Sequence, residues 1–383
     1  MHGTIEPNTT VELTPLASWS PHVADIRALA DRALAPNVFY EPAFAMAAAS
    51  LFGGDVLGGM VWQRSPRRLI GLFPFFVSRR RYGLPMPMLV GWTHPYAPLG
   101  APLIDRDHAA AALDAWFGRL ARDPALPKLM LLPYLPAEGP LSDAIDAALA
   151  RHDGRSAAFA AHRRALLAPA GDRQHYLEAA IPAKKRKELR RQARRLGEVA
   201  PVVVVHADGA DAANAVLDFL VIEAGGWKGR AGTAAQSSDA HRHFLAEAVS
   251  NLAAENKATV SRLMLGDKAI SAAVTLRSGD TAWAWKIAYD EDLARYSPGL
   301  QLLVAVTERL VADARIARAD SCAAPDHPMI DHVWRERLAL SDRLIWLGRN
   351  GSARFNAVVR LESLRRTLVR SLKSLRQRLQ RTG

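Results

Sequence analysis

The sequence predicts an α/β (α+β) protein of two halves, each a mixed, largely antiparallel sheet flanked by helices, followed by a basic amphipathic C-terminal helix. Three observations carry this. Short apolar runs alternate with helix-period segments along 383 residues, a length that favours two cores over one. Strand-like runs at 259–265, 270–276 and 281–289 are joined by turns too short for a parallel crossover, so they form an antiparallel meander. A run of Lys and Arg at 184–195 separates the halves. The expected organisation is an N-terminal domain over 1–170, a basic helical connector over 171–198, a C-terminal domain over 199–350 and a helical tail over 351–383.

In the first half, an extended start at 10–13 precedes a helix at 21–34, supported by Val23, Ile26, Leu29 and Ala30 on one face. Runs 56–63 and 69–77, on either side of the polar Arg64, Ser65, Pro66 and Arg67, read as a hairpin. Segment 82–102 is rich in Pro and Gly, carries Trp92, His94 and Tyr96, and reads as a surface-lining loop. A helix (109–121), a strand (128–132), a helix (141–149) and a strand near Ala165 complete this half.

The connector reads as helical, with Gly197 as its stop. Four consecutive valines from Val202 to Val205 open the second half as a strand. Helices at 212–224 and 239–255 precede the meander. A loop (293–299), a helix (300–314), a strand (316–322), a helix (329–339) and a strand (343–347) follow it.

Composition bounds the chemistry. The net charge of +12 admits nucleic acid, an anionic membrane surface or a phosphorylated ligand as partner, as well as Arg that merely solvates helix faces. The basic runs lack the interleaved aromatics of single-strand binders, so nucleic acid is not expected. The one cysteine, Cys322, can form neither an internal disulfide nor a thiolate cluster. No secretory leader pattern and no apolar stretch near the ~20 residues of a membrane span are present, so a cytoplasmic location is expected. Metal-ligand spacing, a phosphate loop and a dinucleotide fingerprint are also missing, and no metal is expected.

The element order over 200–350 (strand, two helices, three-strand meander, loop, helix, strand, helix, strand) resembles the GNAT acyltransferase fold, and the first half repeats it loosely. Tandem GNAT-like domains joined by a basic helix are similar to the Fem-type peptidyl transferases. The words Trp227-Lys-Gly-Arg-Ala-Gly-Thr233, Trp285-Lys-Ile-Ala-Tyr-Asp290, Ala294-Arg-Tyr-Ser-Pro-Gly299, Asp320-Ser-Cys-Ala323 and Asp326-His-Pro-Met-Ile-Asp-His332 resemble the bacterial CelD-like acetyltransferases linked to cellulose and exopolysaccharide biosynthesis.

The resemblance implies acetyl-CoA or another acyl-CoA as co-substrate. Its pyrophosphate would lie where the fourth strand leads into the next helix, because unpaired N–H groups and the helix dipole favour an anion there. The cofactor-binding candidates are Ile287, Ala288, Tyr289, Arg295, Tyr296, Ser297, Gly299 and Leu300, with Ser321. Pro298 replaces the first glycine of the usual loop, which a helix start accommodates, and Ser297 either caps that helix or touches the ligand. His327 is the candidate base, oriented by Asp326 or Asp331, with Lys286 and Asp290 as further catalytic candidates. Segment 326–331 reads equally as the cap and first turn of a helix, and His332 as structural. Acceptor-binding candidates are Trp227, Lys228 and Arg230, with Trp285, Asp320 and Asp331. Trp283 and Trp285 share a strand face and read as core or pocket wall.

The expected activity is N- or O-acyl transfer, acetyl in the first instance, to a sugar or cell-surface polysaccharide precursor. Fem-type transfer from aminoacyl-tRNA and a non-catalytic scaffold of a polysaccharide-synthesis complex are the alternatives. The tail places Val358, Leu361, Leu364, Leu368, Leu372, Leu375 and Leu379 on one face and its basic residues on the other. Such a helix docks on its own protein, pairs with a second helix or lies on an anionic membrane, here through 354–381 at the inner membrane.

Overall fold

The computed structural model describes residues 8–171, 173–226, 238–348 and 352–379, with side chains of the last helix from Ala353 to Leu368. The first half runs β1 (Thr9–Pro15), α1 (Val23–Ala30), α2 (Pro42–Phe52), β2 (Leu57–Gln63), β3 (Arg68–Arg81), β4 (Leu84–Gly91), β5 (Leu103–Ile104), α3 (Ala109–Arg122), β6 (Leu129–Pro136), α4 (Pro140–Arg151) and β7 (Arg155–Leu167). The connector holds α5 (Tyr176–Ala180) and α6 (Ala183–Gly197). The second half runs β8 (Val202–Asp208), α7 (Gly209–Gly225), α8 (Asp239–Ala254), β9 (Ala258–Leu265), β10 (Lys268–Ser278), β11 (Thr281–Tyr289), α9 (Pro298–Ala312), β12 (Arg318–Asp320) and β13 (Glu336–Trp346), and α10 (Ser352–Leu379) follows.

All strands join one sheet in the order β1-β2-β3-β4-β6-β13-β7-β12-β11-β10-β9-β8, with β5 on β3. The order reads as two equivalent six-strand units placed back to back. Each opens with a four-strand antiparallel array, β1 to β4 or β8 to β11, and continues through a parallel pair, β4 with β6 or β11 with β12. Parallel pairing requires a crossover, which α3 and α9 provide. The final strands are exchanged: β13, last in the second half, lies antiparallel beside β6, and β7, last in the first half, lies antiparallel beside β12. β13 and β7 pair along nearly their whole length. The division expected near residues 170 and 199 therefore does not separate two self-sufficient sheets.

Most expected elements are present, including the hairpin and the meander. Helix α2 has no counterpart in the sequence reading: buried on nearly every side, it shows no polar stripe and hence no helical period. The expected loop 82–102 contains β4. Its Pro85 and Pro87 are tolerated because β4 pairs with β6 only at Leu89 and Val90, leaving the proline-bearing end without a partner on that edge. The expected helix 329–339 is absent. A single 3-10 turn at Ile330–His332 replaces it, and β13 begins at Glu336, drawn into the sheet between β6 and β7. The indole N–H of Trp334 donates to the Thr307 hydroxyl (2.9 Å), fixing that turn under α9.

The first turns of α10 dock on the sheet through Phe355, Val358 and Val359, packed with Met88, Leu129, Leu131 and Leu344. Glu362 follows on the same side and is buried. It accepts from Arg81, Tyr82 (2.6 Å) and Arg366 (2.7 Å), clamping the helix to the β3–β4 turn. Leu364 and Leu368 stay exposed. Among the described residues, no helix is long and apolar enough to cross a membrane.

Candidate functional site

β11 and β12 pair for three residues, the last pair being Trp283 with Asp320, and then separate. β11 continues to Tyr289, while the other chain turns away through Cys322, whose φ is 53°. Two local bonds hold that turn. The Asp320 carboxylate accepts the Cys322 amide (3.0 Å), and the Ser321 hydroxyl accepts the Ala323 amide (3.3 Å). Between the diverging chains, against α9, lies a cavity of about 530 Å³ whose walls include Lys286, Ile287, Tyr289, Ser321, Cys322 and His327.

The ladder between β10 and β11 slips at this point: Val274 opposes Lys286 and Thr275 opposes Ala284, so Trp285 has no partner. A bulge of this kind re-aims side chains. Here it turns Trp285 and Lys286 to one face, towards the first half. The Trp285 indole is buried against Phe44, Tyr96 and Phe244, and its N–H donates to the Tyr96 carbonyl (2.7 Å). It packs between the halves and also lines the cavity. Lys286 places its ammonium 4.3 Å from the Tyr96 ring centroid.

Beyond Tyr289 the chain forms a 3-10 helix, Glu291–Tyr296, and then α9. Asp290 caps the short helix by accepting the Asp292 amide (3.1 Å) and pairs with Lys268 (2.8 Å). Those two bonds hold its carboxylate at the start of the short helix. Ser297 adopts a left-handed conformation (φ 53°), and α9 has no side-chain cap, so the capping role expected of Ser297 is not observed. Pro298 has no N–H, which leaves the Gly299 and Leu300 amides at the positive end of the α9 dipole. Gly299 is needed for space: a Cβ there would lie 2.7 Å from Cδ1 of Tyr289. Arg295 stacks on Tyr296 (4.8 Å), and Gln192 of α6 donates to the Arg295 carbonyl (3.2 Å), so the basic connector flanks this entrance.

His327 is half-buried on the cavity wall. Its Nδ1 accepts the Met329 amide (3.3 Å) and, more weakly, that of Ile330 (3.5 Å). Burial lowers its pKa, which Asp331 only partly opposes. A neutral ring whose Nδ1 is an acceptor carries its proton on Nε2, so it presents a donor. In this arrangement the outward-facing nitrogen is a donor and not the free acceptor that a general base presents. Asp326 is exposed in a left-handed conformation (φ 58°). Asp331 approaches Arg337 (3.6 Å) with one carboxylate oxygen buried and unpartnered among the described residues. Asp320 is consumed by a buried ion pair with Arg164 of β7 (2.5 Å), a further correction to the acceptor-binding set. Trp227, Lys228 and Arg230 lie outside the described residues.

The face opposite α9 holds groups the sequence reading left in a loop or a helix. On segment 92–101, the Tyr96 ring lies against Lys286, His94 feels the Lys286 charge, and Tyr96 feels that of the buried Glu223 of α7. Burial, then Glu223, raises the Tyr96 pKa to about 12. Burial, then Lys286, lowers that of His94 to about 3, so its ring is neutral. Among the described residues neither nitrogen of His94 has a hydrogen-bond partner, and the ring stacks on Phe52 at 4.1 Å. Arg164 donates to the Pro98 carbonyl (3.0 Å) as well as to Asp320, so one guanidinium ties this segment to the separating strands. Three aromatic residues at even spacing, Trp92, His94 and Tyr96, in a proline-rich stretch were the available signal. Glu223, on the otherwise apolar end of α7, was the other.

Residues 183–327 match the family model described as Acetyltransferase (GNAT) domain, from the first residue of α6 to His327. No curated protein matches the chain. Among solved structures, a conserved protein of unknown function from Bacteroides thetaiotaomicron VPI-5482 superposes with a TM-score of 0.54 at 12% identity, covering 88% of this chain and 99% of its own. The C-terminal domain of a putative lysylphosphatidylglycerol synthetase from Agrobacterium fabrum gives 0.53 at 12% identity, with coverages of 89% and 95%. FemX gives 0.56 at 8% identity, with coverages of 84% and 95%. At these identities the likeness is one of fold.

Proposed function

We propose that this chain, which carries a GNAT-type acetyltransferase domain over α6 and β8 to β12, transfers an acyl group from a CoA thioester to an amine or hydroxyl. The observation that carries this reading is the separation of β11 from the chain after Asp320, which opens a slot lined on α9 by Leu303 and Val306 and bordered by Tyr289, the ring that touches Gly299 at the start of α9. The Gly299 and Leu300 amides and the α9 dipole receive the pyrophosphate, with Arg295 and α6 supplying positive charge. The pantetheine arm passes Tyr289 into the slot. His327 donates Nε2–H to the thioester oxygen as it gains charge. The acceptor enters from the side of Tyr96, His94 and Lys286, and Glu223 takes its proton. The new C–N or C–O bond forms as the C–S bond breaks, and CoA leaves as the thiolate. Resemblance to the exopolysaccharide branch makes a sugar or polysaccharide precursor the acceptor class.

Free-thiol release from acetyl-CoA, followed across a panel of amino sugars and sugar alcohols, tests this. Release that depends on the acceptor and falls at least tenfold in Glu223→Gln supports the assignment. Release equal to the buffer rate with every acceptor contradicts it.

A second reading, transfer from aminoacyl-tRNA, is favoured by one observation: Lys184, Lys185, Lys187, Arg190 and Arg194 line an open groove on α6. A salt-sensitive complex with tRNA, with no response to CoA, would select it. Peripheral contact with an anionic membrane belongs to the first reading. It is supported by Leu364 and Leu368, both 64% exposed, on a helix whose acidic residue Glu362 is neutralised internally.

A further inference from the structure

Thr275 and Ala284 face each other across the β10–β11 ladder, in the middle of the sheet and beneath α9. Side chains so placed are normally sealed by close packing, yet both remain only half-buried. The cause is the size of the facing residues. Ala273, Ala282 and Ala284 present little bulk towards Leu303, Val306 and Leu310 of α9; the layers pack there, yet leave space beside Thr275 and Ala284. The gap is long. The cavity containing Lys286 and His327 and a second one of about 480 Å³ share Thr275 and Val306 as walls, so they abut beneath the helix.

The chemistry of the gap points to its occupant. Its middle is apolar. At the far mouth most charges are paired, Arg309 with Asp208 (2.7 Å), Arg315 with Asp313 (2.8 Å) and Lys257 with Glu255 (3.2 Å), while Arg277 donates to the Asn256 carbonyl (3.2 Å). That end lies at the C-terminus of α9, where the helix dipole disfavours a phosphate, whereas the other end lies at its N-terminus, which favours one. A ligand with phosphates at one end and a thioester in the slot can place only an uncharged, flexible tail under α9.

We infer that the gap beneath α9 receives the acyl chain of the donor, and that the transferred group is a medium- or long-chain fatty acyl. The inference rests on the acyl-transfer reading above. The chain moves from sulfur to the acceptor nitrogen or oxygen unchanged, so no further co-reactant is needed.

Calorimetric titration of the full chain with acetyl-, hexanoyl-, octanoyl- and decanoyl-CoA tests it. Burial of each methylene contributes about 0.8 kcal/mol, or about fourfold in affinity. Affinity should climb with chain length until the gap is full, with octanoyl-CoA bound at least tenfold tighter than acetyl-CoA. In Thr275→Phe, which fills the gap, the octanoyl-to-acetyl ratio should fall towards one. Should that variant not fold, the milder Ala284→Val should lower the ratio by a smaller factor. Acetyl-CoA bound as tightly as its longer homologues would overturn the inference and leave acyl transfer standing. Failure of every thioester to bind would overturn both.

Discussion

The Arg164 guanidinium lies between the Asp320 carboxylate and the Pro98 carbonyl, with both charged side chains almost completely buried. Asp320 ends the strand that parts from β11, and Pro98 belongs to the segment carrying His94 and Tyr96. One cation thus ties a wall of the site from the first half to the strand end from the second. Removing either partner leaves a buried charge uncompensated, which costs about 3–5 kcal/mol. Arg164→Leu should lose about that much in denaturant unfolding. Arg164→Met combined with Asp320→Leu should recover most of the loss, because the remaining charge is gone too.

Gly299 and Tyr289 touch so closely that a methyl group at Gly299 must displace the ring. Tyr289 is 37% exposed and can move at little cost. Gly299→Ala should therefore change stability by less than about 1 kcal/mol, since Ala favours the helix. CoA affinity should fall roughly tenfold, about 1.4 kcal/mol, as the ring shifts into the entrance. Equal CoA affinity in the two proteins would remove Tyr289 from the entrance.

His327 is neutral at pH 7 because its pKa lies below the ordinary 6.5. Protonating Nδ1 would set it against two amide donors. Activity should fall as pH drops below 6.5, and His327→Gln, whose amide still donates, should lose the His327 contribution to that limb. His327→Ala should lose about 10²-fold or more in kcat, in line with a lost oxyanion donor. Equal rates for the Gln and Ala variants would deny the donor role.

Burial pushes the Glu362 carboxyl up, but hydrogen bonds from Arg81, Tyr82 and Arg366 outweigh it and hold the pKa at about 2, below the ordinary 4.5. A depressed carboxyl stabilises the fold fully above its unfolded value and loses that contribution as pH falls through the folded one. Docking of α10 should be intact above pH 4.5 and loosen as pH falls towards 2. Amide exchange in 355–366 reads this. Glu362→Gln should show fast exchange already at pH 7, and protection unchanged by that substitution would assign the docking to Phe355 and its neighbours alone.

Much of the fold was legible because local rules govern it. The turns at Gly266 and Gly279 are short, so β9, β10 and β11 had to form a meander, and α6 showed its helical face through the buried Leu189 and Leu196. What escaped is non-local. β13 became a strand because β6 and β7 offered edges on both sides, which no window around Glu336 contains. The site followed the same division. The path from Tyr289 to Gly299 could be located from element order. The use of Asp320 by Arg164, 156 positions away, could not. Nor could the bulge at Trp285, which lets Trp285 and Lys286 face the same way against the strand alternation.

The most direct test is the melting temperature of the full chain titrated with CoA and acyl-CoA. A ligand that binds only the folded state adds about 2.7 kcal/mol of stability at one hundred times its Kd. The slot between β11 and the chain after Asp320 predicts a saturable rise that is blunted in Gly299→Ala. A melting temperature unmoved by millimolar CoA thioester would contradict acyl-CoA binding there.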